Sequence, residues 1–106
     1  MKLIIQPKAQ IGAMSFDIVW CEKILKKMDL VAHVSSIDQK IYLSHRHLDQ
    51  EWINLLHEVF HGIIHSFDLD IEDDKIERYI SSFAHGMAIF LNSLGVEPDF
   101  SQIPEE

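Results

Sequence analysis

Cysteine is almost missing from this chain: Cys21 stands alone among 106 residues. A single thiol excludes an internal disulfide and any Cys-x-x-Cys metal pair, and it suits a reducing compartment. Basic residues are scarce as well, 9 Lys and Arg against 17 Asp and Glu, for a formal charge of −8. Phosphate backbones are bound through a Lys/Arg surface, so nucleic acid is not expected as a partner. Long hydrophobic runs are also lacking. None approaches the roughly 18 residues needed to span a bilayer, so no membrane partner is expected. The opening Met1 to Ile5 starts like a secretory signal, but Gln6, Pro7 and Lys8 break the apolar run early, and the expected location is cytoplasmic. A chain of this length holds one modest core, so residues 1–106 are expected to form a single domain.

What the chain does have is histidine, 7 in all, and most of it lies in or beside one apolar segment running from Trp52 to His65. Drawn as an α-helix at about 3.6 residues per turn, this segment is apolar except for one stripe. The stripe is Asn54, His57, Glu58, His61 and His65. A solvated helix face carries Lys, Glu, Gln and Arg. Here the polar groups on a helix due for burial are imidazoles, one carboxylate and one amide. Left unpaired in a core, such groups cost several kcal/mol, roughly 2–7 each.

The central motif is H-E-x-x-H. His57 and His61 lie one turn apart on the same side, so both imidazoles can reach one zinc ion, with Glu58 on the flank beside the open coordination position. Zinc lowers the pKa of a water it holds to about 7, and a carboxylate placed there acts as general base. The bland alternative is a histidine cluster satisfied within the core.

Taken in order, Lys2 to Gln6 is a short apolar piece able to form a strand that Pro7 ends. Gly12 to Ser15 reads as a turn. Phe16 to Cys21 favours a strand, and Glu22 to Met28 favours a short helix, with Ile24, Leu25 and Met28 on one face. Leu30 to Ser35 and Lys40 to Ser44 flank the turn Ser36 to Gln39 and predict a β-hairpin. Asp49 is the expected N-cap of the motif helix, with Glu51 adding negative charge to its first turn. His45 and His47 precede that helix and are too far from His57 to be favoured ligands, and His33 reads as a surface strand residue.

A tight connection from Phe67 to Ile71 leads into a second amphipathic helix. Its expected core stripe is Ile76, Ile80, Phe83, Met87, Phe90 or Leu91, and Leu94, with Gly95 as its stop. Beyond Val96 the chain is expected to be extended or frayed. The two helices should form an antiparallel hairpin, with Gly62 allowing close approach near Ser81 and Ala84.

The hairpin supplies a third ligand. If the turn centres near Leu69, residues equally far on either side stand level, and Glu77 falls opposite His61. A His57, His61, Glu77 set leaves the fourth zinc position for water. Asp73 and Asp74 stand a turn nearer the loop, and His85 two turns farther off. His65 is two turns from His57, where the helix phase has drifted by about 80°, so a supporting or substrate-facing role suits it better.

Ile41 to Ser44 leading into Trp52 to His65, followed by Ile76 to Met87, resembles the ImmA/IrrE-type zinc metallopeptidases of phages, mobile elements and their bacterial hosts. The resemblance covers roughly the second half of the chain. It implies that His57, His61 and Glu77 bind Zn2+ and that Glu58 is the general base. The fold class expected is α+β, a minimal zincin: a small antiparallel sheet packed on an antiparallel helix pair that carries the metal. The expected activity is hydrolysis of a peptide or protein substrate, with Tyr79 or His85 as candidate oxyanion donors and an edge of the hairpin, tested at Tyr42, as a docking strand for extended substrate. The alternative is a catalytically silent, zinc-stabilised protein-binding or phage accessory module, for which a fourth protein ligand such as His65 or Asp73 would argue.

Overall fold

Ile41, Tyr42 and Leu43 are the most deeply buried consecutive residues, at 0–3% exposure, and they form the middle of a sheet covered on both faces. A computed structural model of the chain describes residues 1–69 and 73–106, apart from the side chains of Asp73 and Asp74. Its elements are β1 (Lys2–Ile4), β2 (Lys8–Ile11), β3 (Met14–Trp20), α1 (Glu22–Met28), β4 (Ala32–Ser35), β5 (Lys40–Leu43), α2 (Leu48–Ser66), α3 (Asp73–Ser93) and β6 (Glu97–Asp99). Together they make a small α+β domain. No helix among the described residues is long and apolar enough to cross a membrane.

The main sheet has the order β2-β3-β5-β4. Gly12, at φ +60°, turns β2 into β3, a left-handed backbone that glycine adopts without a Cβ penalty. The hairpin expected from Leu30 to Ser44 is present as antiparallel β4 and β5. The sheet as a whole is mixed, however, and the expected antiparallel sheet is corrected on this point: β3 and β5 run parallel, with Ile18 beside Ile41 and Trp20 beside Leu43. The reason is α1. Both the strand and the helix expected around residues 16–28 exist: α1 carries the chain from the end of β3 to the outer edge, β4 runs back antiparallel, and β5 then returns between them, parallel to β3.

Side-chain alternation then divides the interior. Phe16, Ile18 and Trp20 of β3, with Ile41 and Leu43 of β5, face α2 through Trp52 and Leu55 and α3 through Ala88. Val19, Cys21 and Tyr42 face the other way, against Leu25 of α1.

Three expectations need correcting. Asp49 is not the N-cap: α2 begins two residues earlier than that would give, at Leu48, His47 is the N-cap with no side-chain bond, and Glu51 instead accepts the Arg46 backbone N–H at 3.1 Å. Of the two alternatives for the tail, extended holds and frayed does not. β6 pairs in parallel with β1, and Val96, Phe100 and Ile103 are buried, because the short core draws on every apolar side chain within reach. The inward face of α3 is Ile80, Ala84 and Ala88, at 0–3% exposure, whereas Phe83, Phe90 and Leu94 are 57–61% exposed. Small alanines let α3 approach closely, and this turns the large side chains outward. Gly95 does stop α3, at φ +79°, with the Val96 N–H donating to the Leu91 carbonyl and the Gly95 N–H to that of Asn92.

Candidate metal centre

α2 is a 19-residue helix with Trp52 and Leu55 buried against the sheet. This sets its rotation and turns the polar stripe toward a cleft between α2, α3 and β4. Gly62 belongs to the sheet side as well. A Cβ there would stand 2.9 Å from Ile11 Cδ1, so its small size serves contact with β2 rather than the expected approach to Ser81 and Ala84.

On the cleft side, His57 and His61 turn their Nε2 atoms toward each other at 3.2 Å. Glu77 reaches across from α3, with one carboxylate oxygen 2.5 Å from His61 Nε2 and the other 3.2 Å from His57 Nε2. One ligand atom from each residue lies within 4.8 Å of the other two, the only such grouping of three or more His, Cys, Asp or Glu among the described residues. The height match across the hairpin therefore brings Glu77 where the sequence reading placed it. Both histidines are about a quarter exposed at the side chain, and Glu77 is 61% exposed, so it closes the mouth of the group rather than its floor.

The donor set can be tested against zinc. Two nitrogens bonded at about 2.0–2.1 Å to one tetrahedral zinc stand about 3.3 Å apart. The imidazole pair already has that spacing. The Glu77 contact to His61 is a hydrogen-bond length, and the exposed carboxylate has room to draw back. Burial, opposed by Glu77 and aided by His61, holds His57 below its ordinary pKa, which favours the neutral imidazole that metals require.

Glu58 is the buried member, 7% exposed. Its Oε1 accepts the Val34 backbone N–H from β4 at 3.1 Å. Burial pushes its carboxyl up to about 7, with the Val34 N–H opposing and Glu77 adding to the rise. Asn54 is also buried. Its Oδ1 accepts from Gln50 Nε2 at 2.8 Å, while its Nδ2 has no partner.

The cleft has a volume of about 530 Å³ and is lined opposite the helices by the segment from Leu30 to Val34. β4 is the edge of the sheet, and Tyr42 lies on β5, one strand inside it, so the free edge of the hairpin is β4 and not the strand that carries Tyr42. Sequence reasoning missed this wall. His33, expected at the surface, is half-buried: it borders the cleft along the β4 edge, while its ring lies on the α1 side of the sheet, stacked toward Tyr42 with ring centroids 6.5 Å apart. The signal available was strand alternation, which sets His33 beside Tyr42 and turns Ala32 and Val34 toward α2 once the hairpin is drawn.

The remaining histidines separate clearly. His65 lines the cleft outside the three-residue group. His45 stacks on Trp20 with centroids 4.0 Å apart and meets Glu105 at 2.6 Å, and it is not among the described residues that line the cleft. His47 is the N-cap of α2. His85 bonds the Ser81 carbonyl at 2.8 Å, and neither it nor the half-exposed Tyr79 is among the described residues that line the cleft. The rivals Asp73 and Asp74 fall outside the described side chains, and part of the Phe67 to Ile71 connection falls outside the described residues. No protein-family model, curated protein or solved structure matches this chain.

Proposed function

We propose that this protein is a zinc-dependent peptidase of the ImmA/IrrE type, acting on an extended peptide or protein segment. The observation that carries the reading is the meeting of His57 Nε2, His61 Nε2 and the Glu77 carboxylate at ligand spacing, beside a buried carboxyl, Glu58, in one cleft. Zinc held by these three residues would supply Lewis acidity, polarising a carbonyl and acidifying a water.

The protein's own groups do the rest. His57, whose burial favours the neutral imidazole, and His61 would hold the metal from α2, and Glu77 would hold it from α3. Glu58, buried beside the histidines and held by the Val34 N–H, would take the proton from the attacking water and return it to the leaving amine. The β4 edge offers backbone groups to an extended chain, and Leu30, Val31 and Val34 provide an apolar wall for its side chains. His65 faces the same cleft and is placed to meet substrate.

Elemental analysis and a peptide-library assay test this reading together. Wild-type protein should hold close to one zinc per chain, and Glu77→Ala should lose it while the circular dichroism stays helical. Glu58→Gln should keep zinc and fold but lose hydrolysis by roughly 10²–10⁴-fold, the contribution of a positioned general base. A folded wild type that retains no zinc after loading and removal of excess would sink the metal centre. Zinc without hydrolysis in the wild type would instead favour the silent binding module.

A further inference from the structure

We propose that the exposed seam of α3 is the contact surface between two copies of this chain, packed antiparallel about a two-fold axis between Gly86 and Met87. Ile76, Ile80, Phe83, Met87, Phe90 and Leu94 recur at alternating steps of four and three, the spacing of a coiled-coil seam. Within the chain only Ile80 of this series is fully covered. Phe83, Phe90 and Leu94 are 57–61% exposed and Met87 is 40% exposed. α3 therefore carries two apolar stripes. The Ile80, Ala84, Ala88 stripe packs inside, and the second has the period of a helix partner that the monomer does not supply.

The seam also has a hole. Phe60 of α2 and Ser82, Phe83, Gly86, Met87 and Phe90 of α3 border an apolar trough, with Phe60 and Phe83 in tilted contact at 6.0 Å between centroids. Gly86 forms its floor. A Cβ added there would meet nothing within 4 Å, so nothing in the chain's own packing requires glycine in the middle of this helix. Mid-helix glycine is unfavourable unless a neighbour approaches closely.

A second copy fits that neighbour. Antiparallel pairing about the Gly86–Met87 midpoint sets Met87 of one copy over Gly86 of the other, Phe83 over Phe90 and Tyr79 over Leu94, so knob meets hole on both sides of one axis. Charge agrees with this direction. No Asp, Glu, Lys or Arg occurs from Tyr79 to Leu94, in a chain of net charge −8. The charge-free stretch is centred on the same axis, so antiparallel pairing lays it on itself from end to end and leaves the charged first turns of α3, with Lys75, Glu77 and Arg78, beyond the contact. Tyr79, Phe83, Met87, Phe90 and Leu94 each expose about 100 Å², roughly 500 Å² per copy, and Phe60 adds to this at the trough; the area is below the roughly 800 Å² per partner of a standard interface and fits a weak, concentration-dependent dimer.

Sedimentation velocity on the full chain, from about 1 to 100 μM, tests this. The wild type should form a dimer that tightens with added salt, as acidic repulsion is screened. Phe83→Glu should leave a monomer with unchanged circular dichroism, since the residue is exposed, and Gly86→Leu should weaken dimerisation at least about tenfold by filling the hole. A wild type still monomeric at about 100 μM would overturn the proposal and assign the seam to another protein's helix. A dimer that survives Phe83→Glu would overturn the surface, and one indifferent to Gly86→Leu would overturn the antiparallel register.

Discussion

α2 and α3 break the usual division of polar and apolar groups in opposite directions. α2 buries Asn54 and Glu58 and half-buries His57 and His61, while α3 leaves Phe83, Phe90 and Leu94 in water. The exceptions on α2 converge on a point, where imidazole, carboxylate and backbone N–H face one another at 2.5–3.2 Å. Those on α3 run along a stripe with no charge in it. A converging polar exception has the geometry of a site, because an ion or a reacting bond is small. A linear apolar exception has the geometry of an interface, because hydrophobic attraction grows with area.

The sharpest way to break this contrast is to remove a converging group. His61→Ala should lower zinc affinity by more than the roughly 10–100-fold that groups supporting a ligand command, measured by competition with a metal indicator. An equal loss from His65→Ala would mean that the point is not where the three-residue group puts it.

Next in size is the difference between the two stripes of α3. Ile80→Ala should cost about 2–4 kcal/mol in urea denaturation, as a buried truncation leaving a cavity. Phe83→Ala, measured on dilute monomer, should stay within about 0.5 kcal/mol. Similar costs at both positions would erase the distinction between core and seam.

The apolar face behind β5 gives a pH test unconnected with the cleft. Burial, helped by the bond to Asp38, pushes the Tyr42 phenol up to about 12. The folded state thus resists losing a proton that the unfolded chain loses near its ordinary value of about 10. Stability owed to this group is complete below pH 10 and falls as pH rises to about 12. Tyr42→Phe should flatten that alkaline decline in denaturation midpoints.

The smallest expected effect contrasts two glycines. Gly86→Ala in dilute monomer should gain up to about 1 kcal/mol, the helix propensity of alanine, since the methyl meets nothing. Gly62→Ala should gain less, because its methyl must displace Ile11 from 2.9 Å.

Much of the candidate site was legible because it is local. The i, i+4 spacing of His57 and His61 is a property of any helix, and the level of Glu77 follows from counting equally far along the chain on either side of Leu69. The opposite wall was not legible: His33, Leu30 and Val31 reach the cleft only because β4 falls at the edge of a four-stranded order that no local pattern encodes. The face of α3 was misread for a related reason. Large side chains dominate a periodicity, and nothing local to α3 says that Ala84 and Ala88 will be chosen for close packing.

By itself, then, the sequence determined the helices, the β4–β5 hairpin, the polar stripe and the register of His61 with Glu77, all set by hydrogen bonds and periodicities within a few turns of chain. Only the tertiary structure decided the parallel β3–β5 pair, the capture of Val96, Phe100 and Ile103 by the core, the rotation of α3, and the burial that raises Glu58. Those depend on which distant surfaces lose water to each other, and desolvation belongs to the packed whole rather than to any segment of it.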